Sequence, residues 1–186
     1  MKRIFFKYLF VMLGFNTVII AQLPHTFMQT ARNSEYGSAR GVAVGSNGTM
    51  FLANGGGGLR AYSYSGSSFT NTARINDGGF AHSVAVSSDG TVFLADGEGG
   101  LRAYSHSGSS FNNTAHIDDG GYAHGVAVGS DGTVFLANGG GGLRAYSYSG
   151  SSFTNTAHIN DGGFAHGVAV GSDGTVFLAN GGGGLR

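Results

Sequence analysis

The chain says nearly the same thing every 42 residues. GVAVGSNGTMFLANGGGGLR at 41–60 returns as SVAVSSDGTVFLADGEGGLR at 83–102, as GVAVGSDGTVFLANGGGGLR at 125–144, and letter for letter in that last form at 167–186. A period of this length, with several strand-like runs in each unit, is the size of one propeller blade. It predicts an all-β propeller of four-stranded antiparallel blades. It also constrains chemistry, because near-identical units offer the same group several times around an axis, whereas catalysis usually needs different groups converging on one point.

Residues 1–21 are set apart from the repeats. Lys2, Arg3 and Lys7 form a basic start, Tyr8 to Phe15 and Thr17 to Ile20 supply an apolar centre, and Ala21 precedes Gln22, which reads as an export signal cleaved near Ala21. An uncleaved anchor needs about 20 consecutive apolar residues. Asn16 and Thr17 interrupt this run. A secreted or cell-surface protein is expected, which meets a membrane only through export.

Without that segment the chain has no lysine, and seven arginines face ten acids. The arginines are spread along the repeats, so the basic stripe of a nucleic-acid binder is missing. The chain has no cysteine, and strand pairing and packing must stabilise it without disulfides.

Each unit divides into four runs, seen most clearly in the third. Gly125 to Gly129 is a first strand and Thr133 to Ala137 a second, joined by Ser130, Asp131 and Gly132, and Asp-Gly between apolar runs is a strong hairpin signal. Asn138 and the glycines 139–142 lead to a third strand from Leu143 to Tyr148. Phe153 to Ile159 is the fourth, followed by the loop NDGGFAH at 160–166. Polarity rises from the first strand to the fourth, which is the order from buried axis to wet rim. A parallel β-solenoid competes with this reading, but it normally has a shorter coil and lacks a hairpin in every unit.

The predicted domain organisation is therefore a signal at 1–21, a fourth strand at 22–40, repeats at 41–82, 83–124 and 125–166, and a partial repeat at 167–186. The stretch 25–40 aligns without a gap onto 67–82, placing Thr30 on Thr72 and Ala31 on Ala73. Two expectations follow: a minimal four-blade ring with an open closing blade, or a fragment of a longer array.

Units such as GVAVGSDGTVFLANGGGGLRAYSYSG resemble the bacterial LVIVD-type β-propeller repeats and are more distantly similar to NHL repeats. The resemblance covers essentially the whole chain after the signal at 1–21. It implies an exported or surface propeller with a binding role. The third strand departs from the family, having LRAYSYS where LRVIDVS is usual, so a role for a carboxylate there does not carry over. A relation to gluconolactonase-type propellers lacks its separated Glu, Asn and Asp ligands.

In a propeller the loop into each first strand and the loop between second and third strands share one face. This places His82, His124 and His166, with Arg40 at the matching first position, in a partial ring at the channel mouth. Three imidazoles at one radius could hold a divalent metal or an anion, while the blander reading has each ring packing beside a glycine-rich turn. The blander reading is favoured, because a metal needs nitrogens about 2 Å from one ion, closer than the axis of a propeller of six or more blades easily allows. Asn54, Asp96, Asn138 and Asn180, near Asp77, Asp119 and Asp161, form oxygen-rich rings suited to calcium or sugar hydroxyls, with Tyr62, Tyr104 and Tyr146 as aromatic platforms if they reach the surface. Asn and Asp before Gly are also ordinary turn residues, and a tyrosine there can pack between blades. His106 shares its position with Tyr64 and Tyr148, and His116 and His158 share theirs with Arg32 and Arg74, which predicts solvent-facing sites.

No catalytic constellation emerges, since no unit carries a GxSxG elbow with an acid and base beside it. The expected function is a non-catalytic binding module without a required cofactor, taking a protein or glycan ligand outside the cell. A metal-dependent lactonase-like or hydrolase-like enzyme, with calcium as a possible metal, and a structural spacer of a larger surface protein are the alternatives.

Overall fold

The computed structural model describes residues 29–186. The signal expected at 1–21 and residues 22–28 lie outside them.

Among the described residues, fourteen strands follow the repeat. The first blade holds β1 (Gly41–Val44), β2 (Met50–Ala53), β3 (Leu59–Tyr64) and β4 (Phe69–Ile75). The second holds β5 (Ser83–Val86), β6 (Val92–Ala95), β7 (Leu101–His106) and β8 (Phe111–Ile117). The third holds β9 (Gly125–Val128), β10 (Val134–Ala137), β11 (Leu143–Tyr148) and β12 (Phe153–Ile159). In the fourth unit β13 (Gly167–Val170) pairs with β14 (Val176–Ala179). Each full blade is an antiparallel meander in sequence order.

The first hairpin shows how local chemistry builds the blade. Gly129 N donates to Thr133 O, and Gly132 N donates back to Gly129 O. Gly132 has φ +84, and Asp131 Oδ1 accepts from Thr133 N at 3.0 Å. This is a three-residue loop whose last residue is left-handed, the role glycine fills without steric cost.

First strands lie side by side at the axis in the order β1, β5, β9, β13. Their approach is so close that a Cβ on Gly125 would stand 2.9 Å from Gly167 Cα. In the second blade Ser83 takes this position, and its hydroxyl accepts from Val126 N at 3.3 Å.

The core lies between blades. From the first blade, Phe51, Ala53, Leu59, Ala61 and Ala73 pack against Val84, Val92, Leu94 and Tyr104 of the second. The same positions recur one blade later, with Phe93 and Leu101 facing Val134, Leu136 and Tyr146. Edge-to-face contacts bind the seam, with Phe51 on His106 at 5.2 Å and Phe93 on Tyr148 at 5.3 Å. Such pairs add about 0.5–1.5 kcal/mol each beyond burial.

A β-bulge falls between the third and fourth strands of each blade, at Ala61/Tyr62, Ala103/Tyr104 and Ala145/Tyr146. The bulge re-aims the extra residue. In the second blade it turns Thr114 so that its hydroxyl donates to Ala103 O and meets Tyr148 OH of the next blade at 2.6 Å.

Residues 22–28 of the fourth strand expected at 22–40 lie outside the described residues, and residues 29–40 form no strand. They nonetheless occupy the corresponding place: Thr30 Oγ1 meets Tyr64 OH at 2.5 Å, and Arg40 N donates to Ala53 O as His82 N does to Ala95 O. Backbone bonds from Ser38 and Arg40 hold one end of the stretch, and the side chains of Thr30 and Glu35, meeting Tyr64 and Arg60, hold the rest.

Candidate functional site

The two loops expected to share a face do so. The connector after each fourth strand bridges the glycine loop of its own blade, with Gly97 and Ala123 exchanging both backbone hydrogen bonds, as Gly139 and Ala165 do. The connector then runs onto the next blade, where His124 N donates to Ala137 O at 2.9 Å. Every connector is thus stitched to two blades, and its last residues are set at equal steps around the channel mouth.

Those steps create a ladder of rings. His82 and His124 have centroids 4.8 Å apart, and His124 and His166 are 5.3 Å apart. Phe80, Tyr122 and Phe164 alternate with them, giving Phe80–His82 at 5.2 Å, His82–Tyr122 at 5.2 Å, Tyr122–His124 at 4.8 Å, His124–Phe164 at 5.1 Å and Phe164–His166 at 4.9 Å. Arg40 closes one end with its guanidinium 4.6 Å from the Phe80 centroid. The imidazoles stand closer together than the sequence argument against a shared ion assumed. Among the described residues, no group of three or more His, Cys, Asp or Glu is placed to hold a metal.

Burial disfavours the charged form of two of the imidazoles, His82 and His124. Burial, with His124 and Arg40 nearby, holds the His82 imidazole down at about 4. Burial, then His166 and Arg40, lowers that of His124. His82 Nε2 and Tyr122 OH share a 3.3 Å hydrogen bond. Half-exposed rings with neutral nitrogens offer apolar faces edged by donors and acceptors.

The aromatic members were not singled out in the sequence reading. Their signal was present as an aromatic residue two positions before each histidine, at 80, 122 and 164. A Cβ on Gly55 would lie 2.9 Å from Phe80 Cζ, and one on Gly139 would lie 2.9 Å from Phe164 Cζ. The bare backbone of each glycine loop is therefore the seat of the next ring.

The oxygen-bearing candidates go elsewhere. Asn54, Asp96, Asn138 and Asn180 are almost fully buried. Asn54 Nδ2 donates to Tyr36 O at 2.9 Å, Asn180 Nδ2 to Gly162 O at 2.6 Å, and Asn138 Nδ2 to Gly120 O. Asp96 instead accepts from Arg102 Nε at 2.9 Å. Burial pushes its carboxyl up to about 6 against the pull of Arg102.

Asp77, Asp119 and Asp161 act between units. Asp119 Oδ2 accepts from Tyr146 OH at 3.0 Å and Asn155 Nδ2 at 3.1 Å, and lies 3.5 Å from Arg144. Asp161 pairs with Arg186 at 3.5 Å, and Glu35 pairs in the same way with Arg60. Tyr62, Tyr104 and Tyr146 are buried beneath these carboxylates rather than exposed as platforms. Burial and the neighbouring acid push the Tyr104 and Tyr146 phenols upward.

His106 also departs from expectation. It packs between Phe51 and Phe111, and its buried Nε2 has no hydrogen-bond partner. His116 and His158 are exposed as expected, bonded to Gly99 O and Gly141 O.

No family model matches the chain, and no curated protein does. Solved structures do. The selenomethionine form of virginiamycin B lyase from Staphylococcus aureus superposes with a TM-score of 0.60 at 14% identity, over 77% of this chain and 49% of that one. The fold is a β-propeller. The X-ray structure of a putative gluconolactonase matches with a TM-score of 0.60 at 14% identity, over 74% of this chain and 55% of that one. A catalytically inactive form of the same lyase with quinupristin gives 0.59 at 15% identity, over 77% and 49%. The chain spans about half the length of the structures it matches, and at these identities the likeness concerns the propeller fold alone.

Proposed function

We propose that this propeller is an exported, non-catalytic binding module whose ligand strip is the ladder Arg40, Phe80, His82, Tyr122, His124, Phe164 and His166. The carrying observation is the alternation of aromatic and imidazole rings at steps of about 5 Å along one rim. The ligand class that suits it is a glycan: sugar rings present apolar C–H faces to the aromatics and hydroxyls to the imidazole nitrogens. Repetition lets weak contacts add, because a chain of sugars engages neighbouring steps at high effective concentration.

The burial of Asn54, Asp96, Asn138 and Asn180 supports this reading over a calcium site, as does the engagement of Asp77 and Asp119 by tyrosine, asparagine and arginine. A second reading, an enzyme of the lactonase or hydrolase kind, is supported by the fold of the matched lyase and gluconolactonase. It draws on no assigned nucleophile or base in this chain.

The test is binding to an immobilised glycan panel with and without EDTA, using the chain and the variant Phe80→Ala/Tyr122→Ala/Phe164→Ala. EDTA-insensitive binding that falls at least tenfold in the triple variant is expected. Binding confined to protein ligands would replace the ligand class, and turnover of a lactone that EDTA abolishes would replace the binding module with the enzyme.

A further inference from the structure

Residues 125–144 and 167–186 are identical, so chemical departures elsewhere in the repeats stand out. Asn47 stands where the other units have Asp89, Asp131 and Asp173. Ser87 stands where they have Gly45, Gly129 and Gly171, and His106 where they have Tyr64 and Tyr148. All three fall in the seam between the first and second blades. β1 and β5 run away from the ladder of rings, so the hairpins that follow them, and the end of β7, lie on the opposite face. There they enclose a cavity of about 360 Å³, whose wall includes Asn47, Phe51, Ser88, Asp89, Ser105 and His106. Both blades that form it are complete four-stranded sheets, and its size suits a small molecule.

Each departure alters what the wall can bond. Asp131 spends both carboxylate oxygens on its own turn, Oδ1 accepting from Thr133 N at 3.0 Å and Oδ2 from Thr133 Oγ1 at 2.9 Å. In the second blade the Ser87 hydroxyl and Thr91 N both donate to Asp89 Oδ1, at 2.5 Å and 2.9 Å. The Ser87 hydroxyl, with Thr91 N, holds the Asp89 carboxyl below its usual range, so it remains an acceptor. Asn47 Oδ1 accepts from Thr49 N at 3.0 Å, and its amide brings N–H donors that an aspartate lacks. Tyr148 commits its hydroxyl to Thr114 and Gly150 O, whereas the buried Nε2 of His106 has no partner among the described residues. Burial lowers the proton affinity of that imidazole, and a neutral ring carries one donor and one acceptor.

The wall therefore mixes a fixed acceptor, an amide donor and a neutral imidazole with the hydroxyls of Ser88 and Ser105. A sugar hydroxyl both donates and accepts, and neighbouring hydroxyls on one ring need such a mixed set. A cation would be better served by the next seam, which has Asp89 and Asp131 at the matching positions. We propose that this cavity is a second binding site, for a single neutral sugar, with Asp89 as acceptor, the Asn47 amide as donor and the His106 imidazole completed by a bound hydroxyl. The site is separate from the ladder and does not depend on it.

The test titrates D-glucose, D-galactose and N-acetyl-D-glucosamine into the full chain while the His106 Cε1–H NMR signal, assigned by its loss in His106→Tyr, is followed. A saturable shift with a Kd of about 1 mM is expected for at least one sugar. Asn47→Asp, which restores the residue of the other units, and Asp89→Ala should each weaken it about fivefold with unchanged circular dichroism. Phe80→Ala/Tyr122→Ala/Phe164→Ala should leave it as it was, so failure of the ladder and failure of this cavity are told apart. No saturable shift with any sugar, a shift that survives Asn47→Asp, or a stronger response to ethylammonium chloride than to the sugars would each overturn the proposal. Should Asp89→Ala loosen its turn, Asn47→Asp alone decides.

Discussion

The Tyr104 hydroxyl donates to Asp77 Oδ2 at 3.1 Å, joining the third strand of one blade to the connector that leaves the blade before it. Asn113 Nδ2 donates to the same oxygen at 2.8 Å, and Arg102 lies 4.0 Å away. One carboxylate thus satisfies buried polar groups that the curvature of the sheet removes from water.

Asp77→Ala leaves the Tyr104 hydroxyl and the Asn113 amide without their acceptor. A loss of about 1–3 kcal/mol is expected, with Tyr104→Phe costing about 1 kcal/mol because it removes donor and need together. Urea denaturation of the two single variants checks this. Equal losses in both would sink the clamp as the cause.

Asp96 supplies a pH signature. The folded carboxyl binds its proton up to about 6, against about 4 when unfolded. The folded state therefore holds more protons in that window, and this group's contribution to stability falls as pH rises from about 4 to about 6, then stays flat. Asp96→Asn removes the fall and provides a donor for the Gly78 region, as Asn138 provides one to Gly120 O. It gives up the Arg102 Nε bond, which the asparagine-bearing blades already lack, since Arg60 Nε and Arg144 Nε are buried without a partner. A net gain of about 1–2 kcal/mol near pH 7 is expected, read from denaturation midpoints at several pH values.

His82 gives the opposite slope. Unfolded, its ring takes up a proton below about 6.5, whereas the folded ring does so only near 4. Its contribution is complete above about pH 6.5 and is lost as pH falls toward 4. The fall in Tm between about pH 7 and about pH 5 should shrink in His82→Phe, which keeps a ring in the ladder but cannot titrate. An unchanged fall would remove His82 from the account.

His106 occupies a site designed for a phenol. Tyr64 and Tyr148 each meet a threonine of the preceding unit and donate to Gly66 O and Gly150 O at 2.7 Å. His106 has neither bond and buries an unpartnered nitrogen. His106→Tyr should stabilise the chain by about 1 kcal/mol through contact with Thr72. Thr72→Val in that background should cancel most of the gain, and additivity of the two would show that the contact does not form.

Strand positions were legible because they depend on neighbours in sequence. Leu143–Tyr148 and Phe153–Ile159 fall where the polarity pattern put them, and Asp131-Gly132 turns the hairpin by its own dihedral and side-chain preferences. The histidine positions were legible too, because 42-residue spacing places equivalent residues at one radius. The roles of the oxygen-bearing residues were not. Asn138 and Asp119 read alike as loop acids and amides, yet one is sealed under a glycine turn and the other spans two blades. Phe80, Tyr122 and Phe164 passed unnoticed because an aromatic beside a turn looks like packing until the next blade shows what it packs on.

By itself, the sequence determined the period, the antiparallel meander and the order from axis to rim, all set by backbone preferences and polarity within one repeat. Tertiary structure alone decided which side chains face a seam and which face the channel mouth. That choice depends on the twist of each sheet and the angle between blades, which bring residues about 40 positions apart to within bonding distance, as at Tyr122 and His82.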